Sequence, residues 1–153
     1  MRGRKPTTSS QRRRAVTRYE PGESLGASYR THLEAARLVQ AGLPFAAVGR
    51  FQKSSGLTLD RIKRAARITE GSFARRKQVG HLSQEESERL LRLSRLFERA
   101  TELFEGDREG ARQWLDTSLP ALDDQRPLDL AQSEPGAREV EDLIGRIEDG
   151  IIS

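Results

Sequence analysis

Residues 57–79 read LTLDRIKRAARITEGSFARRKQV, and this stretch decides the fold. Thr58 and Thr69 each follow an apolar residue and precede a run of helix-favouring residues, which is typical of helix N-caps. The pattern therefore predicts two short helices, at about 59–66 and 70–78. Only a tight turn is left between them, so the stretch has the form of a helix-turn-helix unit.

The second of these helices carries a pattern suited to contact with DNA. In a helix-turn-helix unit, the first residues of the second helix meet base edges, and cations further along meet phosphates. Arginine can pair with guanine through two hydrogen bonds, and a glycine lets the backbone approach closely. The candidate DNA-binding residues are Thr69, Gly71, Ser72, Arg75, Arg76 and Lys77. Spacing and charge alone leave open a helical hairpin with a basic surface and no DNA partner.

Helical periodicity continues on both sides of this unit. Apolar residues at spacings of three and four predict further helices over roughly 28–42, 44–54, 80–105, 108–116 and 134–149. In the longest of these, Ser83 and Glu86 form a capping-box pattern, and two pairs at i, i+4, Glu85 with Arg89 and Glu88 with Arg92, predict surface ion pairs without a functional role. No run alternates between apolar and polar residues with β-branched enrichment, so we expect an all-α protein.

Charge divides the 153 residues into unlike parts. Residues 1–20 hold seven basic residues and one acidic residue, residues 21–82 hold eleven and four, and residues 83–153 hold nine and eighteen. A cationic half attracts a phosphate backbone, whereas an anionic half favours a protein partner. Solvated helix faces are the alternative explanation. We predict a disordered basic tail over 1–22, a helix-turn-helix DNA-binding domain over 23–82 and a helical domain over 83–153.

Catalytic and metal-binding patterns are missing from the sequence. There is no cysteine, and the two histidines, His32 and His81, have no carboxylate partner at ligand spacing. No glycine-rich phosphate loop follows a predicted strand. We therefore expect no enzyme activity, no metal and no cofactor. The chain also has no apolar run of membrane length and no export signal, so we expect a cytoplasmic protein with no membrane partner.

Four segments give the sequence a family resemblance that covers about four-fifths of the chain. They are LSQEESERLLRL at 82–93, Trp114-Leu115, Pro127-Leu128-Asp129-Leu130, and GAREVEDLIGRIEDGI at 136–151. In this order and spacing they resemble the Xre/MbcA/ParS-like antitoxins, the partners of RES-domain toxins. The sequence departs from the family where Asp123 and Asp124 replace two usual glycines, and Arg67 stands where helix-turn-helix turns often carry glycine.

The resemblance implies a particular organisation and function. It implies an N-terminal Xre-like helix-turn-helix domain and a small helical C-terminal toxin-binding domain, in a homodimer that neutralises an NAD-degrading toxin and represses its own operon. Its partners would be the RES-domain toxin and operator DNA. The toxin-binding residues carried over from the family are Glu148, Asp149, Gly150, Ile151 and Ile152.

Two alternatives remain at this point. One is a stand-alone dimeric helix-turn-helix transcription regulator without a toxin partner. The other concerns Ile151 and Ile152, which would either dock on a partner or fold back onto the thin core of the chain itself.

Overall fold

The computed structural model describes residues 19–150. Its α-helices over that range are α1 (His32–Ala41), α2 (Ala46–Ser55), α3 (Leu59–Ala65), α4 (Glu70–Val79), α5 (Gln84–Leu103), α6 (Arg108–Leu115), α7 (Pro127–Leu130) and α8 (Glu134–Glu148). Short 3-10 turns cover Glu23–Leu25 and Pro120–Leu122. Within residues 19–150 no strand forms, so the all-α prediction is confirmed.

Side-chain caps set the start of the central helices as the sequence predicted. Thr58 Oγ1 accepts a hydrogen bond from the amide of Arg61 at 3.2 Å and begins α3. Ser83 and Glu86 form a complete capping box at the start of α5. Each cap satisfies amide groups that the first turn of a helix leaves without an intrahelical partner.

Two predicted segments become helical later than their first residue. The segment predicted from residue 44 is helical from Ala46, and the segment predicted from residue 80 is helical from Gln84, directly after its predicted cap Ser83. The reason is a short antiparallel backbone pairing between the two connecting segments. The amide of Phe45 donates to the carbonyl of Gly80 at 2.9 Å, and the amide of Leu82 donates to the carbonyl of Leu43 at 2.9 Å. Groups used in this pairing are not available for a first helical turn.

Helix α5 lies at the centre of the fold and contacts α1, α2, α6 and α8. Its buried apolar face includes Leu90, Leu93, Leu96, Phe97 and Ala100, each at most 1% exposed. The Phe97 ring packs edge-on against Phe51 of α2, with 5.7 Å between ring centroids. One continuous core therefore includes residues from both the basic and the acidic part of the chain.

Residues 19–22 contact this core, although the sequence assigned them to a disordered tail. The Tyr19 ring lies 5.9 Å from that of Phe97. The amide of Gly22 and the amide and hydroxyl of Ser24 all donate to the Glu98 carboxylate, at 3.2, 3.1 and 2.6 Å. Burial raises the pKa of Glu98 even though these donors favour the charged form. The rest of the predicted tail, residues 1–18, lies outside the described residues.

The two positions where the family resemblance leads us to expect glycine have a left-handed backbone. Asp123 and Asp124 have φ values of 59° and 61°. Aspartate adopts this region more readily than most residues, so the loop can form without glycine. Arg67, in the turn before α4, has a φ of 56°.

Candidate nucleic-acid interface and carboxyl-terminal site

Helix α4 lies on the surface of the protein. None of its ten residues is buried. Among the predicted DNA-binding residues, Thr69, Gly71, Arg75 and Lys77 are exposed, whereas Ser72 and Arg76 are half-buried. Phe73 is the α4 residue that packs against the core, so most of the helix surface is open to a partner.

The start of α4 brings three of the predicted residues together. Thr69 Oγ1 accepts a hydrogen bond from the amide of Ser72 at 3.1 Å, which caps the helix. An Nη of Arg75 then donates to Ser72 Oγ at 3.2 Å. The Arg75 guanidinium is held over the first turn of α4 with donors remaining, so it can pair with a base or a phosphate.

Gly71 has no packing role within residues 19–150. A Cβ atom placed there would meet no heavy atom within 4 Å, and its backbone is helical. An alanine would therefore fit. The protein's own fold does not explain the glycine, whereas a close approach of α4 to DNA would.

Arg76 is tied to the protein itself. Its Nε donates to Glu86 at 2.8 Å, with side chains 26% and 6% exposed. Burial opposes ionisation of Glu86, but the Ser83 amide and the Arg76 guanidinium outweigh it and hold the Glu86 pKa below its usual range. Arg76 therefore links α4 to the capping box of α5. Sequence spacing did not predict this link, because the two residues are ten positions apart and on different helices.

The turn between α3 and α4 is also held from α5. Arg89 Nε donates to the carbonyl of Ala66 at 2.7 Å, and its Nη2 donates to the carbonyl of Arg67 at 3.3 Å. The predicted Glu85–Arg89 ion pair is thus wrong, because Arg89 reaches the two turn carbonyls instead. Burial and the nearby Arg67 guanidinium lower the pKa of Arg89.

The other predicted pair, Glu88–Arg92, does form, but Arg92 is not at the surface. Its side chain is 7% exposed, and it also donates to the carbonyl of Ala131 at 3.1 Å. Arg92 therefore joins α5 to the segment that follows α7.

Lys63 and Phe73 fix the two helices of the unit against each other. Lys63 Nζ lies 2.8 Å from a carboxylate oxygen of Glu70 and 4.7 Å from the centre of the Phe73 ring. The Phe73 ring also packs on Phe45, with 4.9 Å between ring centroids. These contacts use the inner side of α4 and leave its outer side open.

At the other end of the protein, α8 packs firmly on α5. Its buried stripe comprises Gly136, Ala137, Val140, Leu143 and Ile144. Ion pairs join the same two helices, with Arg95 at 2.7 Å from Glu141 and Arg99 at 3.2 Å from Glu148. The apolar stripe and these ion pairs together attach α8 to α5.

The predicted toxin-binding residues lie where α8 ends. Glu148 pairs with Arg99, whereas Asp149 and Gly150 are exposed. Gly150 has a φ of 78°, so the backbone leaves the helix direction at this point. Ile151 and Ile152 lie outside the described residues.

Membrane-spanning helices and metal-binding clusters are both absent from residues 19–150. No helix in this range is long and apolar enough to cross a membrane. Over the same residues, no group of three His, Asp or Glu side chains is arranged to hold a metal ion.

An N-capped, exposed and basic second helix behind a tight turn, joined to a further set of helices, defines a helix-turn-helix DNA-binding protein with an added helical domain. Family models agree with both parts. The Antitoxin Xre-like helix-turn-helix domain matches residues 34–95, and the Antitoxin Xre/MbcA/ParS C-terminal toxin-binding domain matches residues 99–150.

Two relatives carry the name Antitoxin Xre. The protein from Photorhabdus laumondii subsp. laumondii is 37% identical over 123 residues, which are 80% of this chain and 82% of the relative. The protein from Yersinia enterocolitica serotype O:8 is 42% identical over 93 residues, 60% of this chain and 63% of the relative. The chain belongs to the Xre antitoxin family, and it is an antitoxin of a toxin–antitoxin system.

Proposed function

We propose that this antitoxin neutralises a RES-domain toxin that degrades NAD, by binding it directly, and that it represses its own operon by binding operator DNA. The protein would do both as a homodimer. The observation that carries the proposal is the placement of two exposed, oppositely charged regions on separate helices, α4 and the end of α8.

The DNA-binding part of the proposal rests on α4. Thr69, Gly71, Ser72, Arg75 and Lys77 lie on or beside its accessible side, and the helix contributes only the half-buried Phe73 to the core. We assign base reading to Ser72 and Arg75, and phosphate contact to Lys77. Because Arg76 is paired with Glu86, we expect its contribution to DNA binding to be smaller than that of Arg75.

The toxin-binding part rests on the carboxyl-terminal end of α8. Asp149 and Gly150 are exposed there, and Ile151 and Ile152 follow in sequence. Burying each isoleucine against a partner is worth roughly 1.5–3 kcal/mol. The acidic residues around them would repel nucleic acid, which favours a protein partner.

A homodimer would present two DNA-binding helices to one operator. Two copies of α4 related by a two-fold axis could read a palindrome with half-sites about 34 Å apart. Light scattering checks this part, and a monomer at micromolar concentration that stays monomeric on operator DNA would contradict it.

The test of the whole proposal uses the full chain and the protein encoded by the adjacent reading frame, which the proposal expects to be a RES-domain toxin. Purified antitoxin should form a stable complex with that protein and stop its consumption of NAD, and should separately retard the promoter fragment of the operon. Retardation of the promoter without any complex would instead favour the stand-alone transcription regulator.

A further inference from the structure

Helix α3 ends in a turn that usually requires glycine. The amide of Ile68 donates to the carbonyl of Lys63 at 2.8 Å, and the amide of Arg67 donates to that of Arg64 at 3.2 Å. This pair of bonds is the Schellman pattern, in which the residue after the helix adopts a left-handed conformation. Here that residue is Arg67, with a φ of 56°. A side chain disfavours this conformation, so the turn needs support from elsewhere.

Arg89 supplies that support from the centre of the fold. Its guanidinium donates to two successive carbonyls, those of Ala66 and Arg67, at 2.7 and 3.3 Å. A planar fork that binds two acceptors fixes their relative orientation, which a single point charge does not. The neighbouring Leu90 is fully buried, so α5 holds Arg89 in place.

The position of α4 depends in part on this turn, because α4 has no fully buried residue and is otherwise attached through the half-buried Phe73 and the Arg76–Glu86 pair. Thr69, which caps α4, comes two residues after Arg67. A helix of this length is about 15 Å long, so a rotation of about 10° at the turn moves its far end by roughly 2.6 Å. Hydrogen bonds to base edges do not tolerate such a displacement.

We propose that Arg89 is a positioning residue for operator recognition, which acts by holding the α3–α4 turn in its left-handed geometry. It binds the turn and does not contact DNA. The inference rests on the proposed DNA-binding function of α4 and adds to it the element that orients the helix.

The experiment is a double-mutant cycle on the full chain, with Arg89→Met and Arg67→Gly made singly and together. Arg89→Met should weaken operator binding on the order of tenfold, since it removes two charge-assisted hydrogen bonds, and should leave toxin binding unchanged. In the Arg67→Gly background the same substitution should cost much less, because glycine adopts the turn conformation without support. Arg138→Met is the matched control, because it removes an equal charge from a side chain that is 74% exposed on α8.

Additive effects of the two substitutions would overturn the inference, since Arg89 would then act independently of the turn. Arg89→Lys with nearly full affinity and an unchanged salt dependence, beside a smaller salt dependence in Arg89→Met, would overturn it too, because a direct phosphate contact would explain that result. If Arg89→Met also weakens toxin binding and lowers the melting temperature, Arg89 stabilises the whole fold, and the inference would be overturned.

A readout without DNA separates this inference from the proposed function. Hydrogen exchange of the Ile68 amide should be faster in Arg89→Met than in the parent protein, because the bond to Lys63 would open more often. An unchanged exchange rate would overturn the positioning role. If the proposed DNA-binding function of α4 is wrong, the result is different: Arg75→Ala then leaves operator affinity unchanged.

Discussion

Helices α4 and α8 carry the two proposed binding functions, but they are attached to the protein in different ways. Helix α8 buries five residues along one face, whereas α4 buries none. Polar links from Arg76 and Arg89 fix α4 instead, together with the half-buried Phe73. A helix attached in this way keeps nearly its whole surface for a partner. Its placement then depends on a few hydrogen bonds, while α8 is secured by apolar burial.

The largest expected difference between the two helices is in stability. Ile144→Ala in α8 should lower the free energy of unfolding by about 2–5 kcal/mol, because Ile144 is fully buried. Val79→Ala in α4 is the matched truncation, and it should stay within about 0.5 kcal/mol because Val79 is 56% exposed. Chemical denaturation checks both. Equal losses would contradict the different attachment of the two helices.

Two adjacent arginines sharpen the comparison within α4. Arg76→Ala should cost about 1–3 kcal/mol of stability, because it leaves the buried Glu86 carboxylate short of a donor. Arg75→Ala should leave stability nearly unchanged and weaken operator binding by about 1–3 kcal/mol. Denaturation and operator titration at fixed salt should therefore rank the two variants in opposite order. If Arg76→Ala proves as stable as the parent protein and loses as much operator affinity as Arg75→Ala, the assignment of Arg76 is wrong.

Local chemistry in the sequence predicted the caps, the helix-turn-helix unit and the exposed α4. It did not predict Arg89 on the turn or Arg76 on Glu86. The reason is physical. A capping hydroxyl binds an amide two or three residues away in sequence, whereas the acceptor of a long arginine side chain depends on which helices pack beside it. Helical spacing places Glu85 near Arg89, but in the folded protein Arg89 donates to the carbonyls of Ala66 and Arg67 instead.

Glycine substitutions give a smaller effect that distinguishes the two surfaces. Gly71→Ala in α4 and Gly145→Ala in α8 should each raise stability by about 0.5–1 kcal/mol, because both sites have space for a Cβ atom. Only Gly71→Ala should weaken operator binding, since a methyl group there would stand between α4 and the DNA. Thermal melts and operator titrations of the pair check this. Full operator affinity in Gly71→Ala would show that the backbone does not approach DNA at this residue.

The smallest expected effect concerns pH and the Glu98 carboxylate, which lies away from both surfaces. Burial raises the pKa of Glu98, so the folded state binds this proton more tightly than the unfolded state does. Stability from this group should therefore fall as pH rises from the usual carboxyl range through the raised pKa. Glu98→Gln cannot ionise and should show a flatter pH dependence of melting temperature over that interval. An identical slope in both proteins would mean that Glu98 does not titrate differently on folding.

In the proposed function, α4 binds operator DNA and the end of α8 binds toxin, independently of each other. The most direct measurement compares both affinities in a variant that lacks residues 148–153 and in Arg75→Ala. The deletion variant should melt almost like the parent protein, bind operator fully and no longer bind or neutralise the toxin, whereas Arg75→Ala should show the reverse. A deletion variant that still neutralises the toxin, or one that loses operator binding while it remains folded, would show that the two binding functions are not divided between α4 and the end of α8.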